Sequence, residues 1–151
     1  FRPVQNGLTD MADLVAAASR PDLRFIALLG PGEEQIGREL TSLVERKENL
    51  VVPARLLSLR EVAAVIDASR LHVGNCSAPR HIAVAVDTPS LTVLGSTSNA
   101  WTFPAPEHEA LALGLDCQPC NHNVCPSGSN ACLTGLAPEA VAGALLGRLA
   151  G

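Results

Sequence analysis

The chain has 151 residues, about one ordinary domain in length, and its 47% hydrophobic content is enough to build a core. Its formal charge is −4, its 11 Lys and Arg residues are scattered rather than gathered in a stripe, and it has one Trp and no Tyr. These features argue against nucleic-acid binding, single strands included, and no apolar run reaches the roughly 20 residues that span a bilayer.

The N-terminus has no charged-then-apolar signal pattern, so a soluble, cytoplasmic protein is expected. Phe1-Arg2-Pro3-Val4 opens without Met and is expected to lie inside a longer protein or a processed product. Residues 8–18 place Leu8, Met11, Ala12, Leu14, Val15 and Ala18 near helical spacing. Residues 24–29 are a short apolar run with the β-favouring Phe25 and Ile26, stopped by Gly30-Pro31-Gly32, and predict a buried strand followed by a turn. Ile36, Leu40, Leu43 and Val44 give residues 33–46 the stripe of a surface helix. A second strand is predicted over 49–52, ended by Pro53, and Ser58-Leu59-Arg60-Glu61 is a capping box opening a helix through Ala68.

A third strand over 70–74 runs into Gly74-Asn75-Cys76-Ser77, where Ser77 suits an N-cap and Pro79 the first turn of a helix over 79–86. The fourth strand, 90–94, ends at Gly95-Ser96-Thr97-Ser98, and Trp101 and Phe103 are expected to anchor the following loop by packing. A fifth strand is expected over 109–113, and Pro138 opens a C-terminal helix over 138–149. Strands alternating with helices need crossover connections, so the fold class is α/β, a doubly wound and mostly parallel sheet in a single domain. Ligands of such sheets bind beyond the carboxyl ends of the strands, and helix starts favour anions. The turn at 74–79 is therefore the candidate phosphate site.

One segment breaks the alternation. Cys117, Cys120, Cys125 and Cys132 fall within sixteen residues of a polar loop containing Pro and Gly. Four thiols at this spacing can wrap a tetrahedral Zn²⁺ as a structural staple. Reduced thiols, disulfides and an iron–sulfur cluster are the alternatives the spacing leaves open. His122 is a substitute ligand or an exposed loop residue.

The run Leu57-Ser58-Leu59-Arg60-Glu61-Val62, the turn Gly74-Asn75-Cys76-Ser77-Ala78-Pro79-Arg80-His81-Ile82-Ala83 and the segment Thr88-Pro89-Ser90-Leu91-Thr92-Val93-Leu94-Gly95-Ser96-Thr97, in this order and spacing, carry a likeness. With the cysteine loop, they resemble the C-terminal half of glycosyltransferase family 9, the ADP-heptose:lipopolysaccharide heptosyltransferases and their relatives. The resemblance implies a GT-B enzyme whose Rossmann-like C-terminal domain holds a nucleotide-sugar donor such as ADP-heptose. A separate N-terminal domain, which this chain lacks, would hold a lipopolysaccharide-type acceptor and supply the general base. No cofactor is expected for the chemistry, and the chain alone is expected to bind nucleotide without transferring sugar.

Carried over by position, the resemblance puts Ser77 at the donor's diphosphate, His81 near the donor, Glu33 at the ribose and Leu57 in the wall of the base pocket. Cys76 stands where the family motif has Asp, and Ala78 where it has Gly; Arg80 occupies a position usually apolar or variable, where it would add a cation near the phosphates or lie solvated on the helix face. Losing Asp removes an acceptor for sugar hydroxyls, and Ala restricts the backbone. Two other readings follow: a degenerate member retained as a binding or scaffold module, and a metal- or redox-sensing cysteine loop. For single residues the plain alternatives are an N-cap for Ser77, a core histidine for His81, a helix-start carboxylate for Glu33, a small buried apolar group for Cys76 and a solvated Arg80.

Overall fold

The computed structural model describes residues 6–101 and 105–150, and backbone alone for 6–10. The chain divides into two units: one runs up to Val62 and includes Ala137–Leu146, and the other comprises Ala63–Leu136 with Gly147 onward.

In the first unit, α1 (Asn6–Ala17) leads to β1 (Phe25–Ile26), α2 (Glu34–Leu43) and β2 (Leu50–Val51). The helical spacing read in the sequence is what builds its core. Ala12 and Val15 of α1 meet Leu40 and Val44 at the end of α2, and Phe25, Ala27 and Leu50 pack against them. The two strands pair in parallel, Phe25 with Leu50 and Ile26 with Val51, and Ala27 N–H donates to Val51 O at 2.9 Å. Strand alternation sends Phe25 and Leu50 to the core, while Ile26 and Val51 are each 45% exposed. The α2 helix stops before residue 46: Val44 takes extended dihedrals and stays buried, and Lys47 Nζ donates to Thr41 O in the last turn. A 3₁₀ turn, Lys47–Asn49, then delivers the chain to β2.

The capping box forms as predicted at the start of α3 (Leu59–Asp67). Ser58 N–H donates to Glu61 Oε2 at 2.8 Å, and Glu61 N–H returns to Ser58 Oγ at 3.3 Å.

In the second unit, β3 (His72–Asn75), β4 (Ser90–Val93) and β5 (His108–Leu111) form a parallel sheet in that order. His72 pairs with Ser90 and Ser90 with His108; at the other end Asn75 pairs with Val93 and Val93 with Leu111. The central strand is the most buried, with Ser90, Leu91 and Thr92 at 0% exposure. Ser90 Oγ is satisfied by His108 Nδ1 at 2.9 Å. Helix α4 (Ala78–Ala85) joins β3 to β4 and buries Arg80 and Ala83, one helical turn apart. The short helix α5 (Ala131–Thr134) follows; α6 (Pro138–Ala150) buries Val141, Ala142 and Leu145 in its stretch that belongs to the first unit.

Parallel strands with flanking helices bear out the α/β class. Among the described residues the strands fall into a two-stranded and a three-stranded sheet; β1 and β2 are shorter than the apolar runs suggest, β2 because Pro53, which has no N–H to donate, follows closely. β3 and β5 lie within two residues of their predicted bounds. Helix α5 escapes a periodicity test because four residues make barely one turn. Trp101, expected to pack, is 66% exposed at the end of a 3₁₀ turn, and Phe103 lies outside the described residues. Among the described residues no helix is long and apolar enough to cross a membrane.

Candidate functional site

The first unit contains a cavity of about 420 Å³ beyond the carboxyl ends of β1 and β2, within the size range of small-molecule sites. Its apolar wall includes Leu29, Val52, Pro53, Leu56 and Leu57, and its polar side Glu34, Arg38, Thr41 and Arg55. On α2, Glu34, Arg38 and Thr41 fall at i, i+4 and i+7, one face of the helix. The buried Leu40 and Val44 belong to another face, so α2 serves both core and cavity.

Leu57, assigned to the base pocket by resemblance, lines this cavity, as does Gly30. Glu33 lies just outside the lining: its Oε2 accepts the Gly30 N–H at 2.7 Å and closes the loop after β1. Glu34, its neighbour, presents the acidic group on the cavity. Sequence reasoning missed Glu34, Arg38 and Arg55, although the polar face of α2 opposite its apolar stripe could have pointed to the first two.

Arg55 is held in the wall by a two-pronged bond to Glu61, with Nη1 at 3.1 Å from Oε2 and Nη2 on Oε1. The Arg55 guanidinium, followed by the amide and hydroxyl of Ser58, lowers the Glu61 carboxyl from 4.5 to about 2. A carboxyl lowered by folding stabilises the fold above its unfolded pKa and ceases to do so as pH falls through its folded value. Wild type is therefore expected to melt above Glu61→Gln at pH 6, with the gap closing between pH 4.5 and about 2. Both partners are largely exposed, so the gap should be only a few degrees. Melting curves at four pH values check this; a gap that persists unchanged at pH 2 refutes it.

The second unit brings three segments to the carboxyl end of its sheet. The β3–α4 turn carries Cys76 and Ser77, residues 95–98 leave β4, and the cysteine loop is tied to β4 by Gln118. Gln118 Nε2 donates to Leu94 O at 3.3 Å and Gly95 O at 2.9 Å, and Asn121 N–H donates to Ser96 O at 2.8 Å. Ser77 takes the N-cap position with extended dihedrals but makes no capping bond; its hydroxyl donates to Asn75 O at 3.3 Å. Ser77, Ala78 and His81 are exposed and Cys76 is half-buried. His81 therefore does not occupy the core.

Arg80 corrects its expected solvated place: its side chain is fully buried, and Nη1 lies 3.2 Å from Cys76 Sγ. Arg80 Nε and Nη2 are buried without partners among the described residues, as are His72 Nε2, Thr92 Oγ1 and Thr97 Oγ1. All five atoms belong to the second unit. Burial pushes the His72 imidazole below its ordinary value.

In the cysteine loop, Cys117 is exposed and Cys120, Cys125 and Cys132 are half-buried, all as free thiols; His122 is exposed. The Ser127 hydroxyl, 3.3 Å from its sulfur, and then the Asn130 backbone lower Cys125 from 9.0 to about 6. Burial raises the Cys132 thiol, with the charges of Cys117, Cys125 and Cys120 adding to it. Among the described residues no three His, Cys, Asp or Glu side chains are placed to hold a metal ion.

The family model described as glycosyltransferase family 9 (heptosyltransferase) matches residues 12–130. The chain belongs to that family. The match takes in the cavity, the 74–79 turn and the first three cysteines of the loop. No curated protein and no solved structure matches the chain significantly. Membership of family 9 identifies a domain of sugar-transferring enzymes, whose partners are a nucleotide sugar and an acceptor.

Proposed function

We propose that this family 9 chain is the donor-binding part of a GT-B glycosyltransferase that transfers heptose from ADP-heptose to a lipopolysaccharide-type acceptor. The observation that carries the reading is the cavity beyond β1 and β2, with Leu57 in its apolar wall and Glu34 on its polar side. A nucleobase suits the Leu29, Leu56 and Leu57 surface, and ribose hydroxyls suit a carboxylate. Transfer belongs to the whole enzyme, with an acceptor-binding domain supplying the base; the chain alone holds the donor.

Thermal unfolding of the chain with ADP, UDP and GDP tests this reading. A nucleotide present at 100 times its dissociation constant adds about 2.7 kcal/mol to stability, and ADP is expected to give that shift selectively. Equal melting with and without all three nucleotides would reject the reading.

A structural Zn²⁺ on Cys117, Cys120, Cys125 and Cys132 is part of the same proposal. Its support is the spacing and the hydrogen-bonded Cys125 sulfur. As the thiols are placed, they would have to draw closer around the ion.

A further inference from the structure

The cavity of the first unit has two rims of different make. On the β1 side the loop closes on its own backbone, Glu33 N–H donating to Gly30 O at 3.1 Å, and the Glu33 carboxylate adds its bond from Gly30 N–H at 2.7 Å. On the β2 side residues 53–57 all line the cavity, yet among the described residues none of them makes a backbone–backbone hydrogen bond. Such a wall needs a tether of another kind, or the whole entropy of ordering it falls on the molecule that docks there.

Glu61 supplies the tether from outside the cavity lining. Its Oε2 accepts from Ser58 N–H at 2.8 Å, Ser58 Oγ at 2.9 Å and Arg55 Nη1 at 3.1 Å, and its Oε1 accepts from Arg55 Nη2. Arg55 Nη1 also donates to Leu56 O at 3.1 Å. One carboxylate in the first turn of α3 thus holds the middle of the wall and the residue that ends it. The planar fork of a guanidinium fixes direction as well as distance, and Leu56 and Leu57, the apolar surface offered to a base, lie between the two points so held. An exposed pair of this kind adds little to global stability. A segment without backbone bonds opens far more easily than the fold unfolds, so a small contribution counts there.

We propose that Glu61 is a positioning residue for nucleotide binding: without touching the nucleotide, it clasps Arg55 and Ser58 and so holds the 53–57 wall in the shape that receives the base. The proposal rests on the donor-binding reading for the identity of the ligand.

The test compares wild type, Glu61→Gln, Arg55→Met and the double variant by calorimetric titration with ADP. Glu61→Gln is the informative change, because glutamine at this position keeps the capping box with Ser58 and gives up only the two-oxygen grip on Arg55. It is expected to lower ADP affinity about fivefold, the effect of an exposed pair at the top of its usual range. The double variant should bind ADP within twofold of Arg55→Met, since Glu61 acts through Arg55. A second readout needs no nucleotide: trypsin cleavage after Arg55, referred to cleavage after the exposed Arg70, should quicken about threefold or more in Glu61→Gln as the wall opens. ADP affinity unchanged in Glu61→Gln, losses that add in the double variant, or unchanged cleavage after Arg55 each overturn the proposal. Should wild type bind none of ADP, UDP and GDP, the donor-binding reading fails by itself and cleavage decides on Glu61: faster cutting after Arg55 sustains its hold on the wall, and equal cutting overturns it.

Discussion

Replacing Asn49 by alanine is expected to destabilise the first unit by about 2–4 kcal/mol, the range for losing a buried side-chain network and leaving its partners unmet. Asn49 is 2% exposed and sits between the 3₁₀ turn and β2. Its Oδ1 accepts from Ser19 Oγ at 3.1 Å, and its Nδ2 donates to Arg20 O at 2.8 Å and Leu23 O at 2.6 Å. These bonds hold the α1–β1 connection against the start of β2 and so set the pairing of Phe25 with Leu50. Alanine leaves two carbonyls without their donor and opens a hole beside the core. Asn49→Asp is the sharper control: it keeps an acceptor for Ser19 but turns a carboxylate toward two carbonyls, and should cost at least as much. Urea denaturation of the three chains measures the effect. A loss under 1 kcal/mol in both variants would show that the connection is held by other means.

Asn49 also shows where sequence reading stops. Leu50, Val51 and Val52 after it predict a strand that starts at Asn49, yet its work is done by partners 26 to 30 residues away. Local signals performed well where the cause is local. The Ser58 and Glu61 capping box, the Ser77-Ala78-Pro79 helix start and the stripe of Leu40 and Val44 all lie within one or two turns of the residues they organise. Long-range causes were invisible: Gln118 reads as a loop amide, but it ties the cysteine segment to β4 through Leu94 O and Gly95 O.

The candidate site was legible in outline and less so in detail. The turn after β1 in the first unit and the turn after β3 in the second each follow from the rule that open α/β sheets bind ligands at the carboxyl ends of their strands. An arginine on a helix is usually solvated, but Arg80 is fully buried. Its spacing to Ala83 sets both on the buried face of α4, a signal that was present but outweighed by the charge. Trp101 is the converse case, a large aromatic left largely in solvent.

Substituting Gly37 should abolish nucleotide binding more completely than any change to a polar lining residue. Gly37 is a buried residue of α2, and a Cβ added there would lie 2.6 Å from Leu29 Cδ1 and 2.9 Å from Val52 Cγ1. Both contacts are too short, and both partners line the cavity. The Leu29 tip can swing aside, but Val52 is stiff at χ1, so relief comes by pushing these side chains into the space a base would occupy. Gly37→Ala gains about 0.5–1 kcal/mol in helix propensity against about 1–3 kcal/mol of overpacking, a small net loss of stability with ADP affinity expected to fall about tenfold. Gly37→Val forgoes most of the helical gain and adds two methyl groups beside the cavity, and affinity should fall at least a hundredfold. Melting curves of both variants with and without millimolar ADP separate binding from folding. Gly37→Val is expected to fold and to show no ADP shift, because the strain falls on Leu29 and Val52 at the cavity wall, away from the Ala12, Val15, Leu40 and Val44 cluster. A Gly37→Val chain that still responds fully to ADP would move the nucleotide out of this cavity altogether.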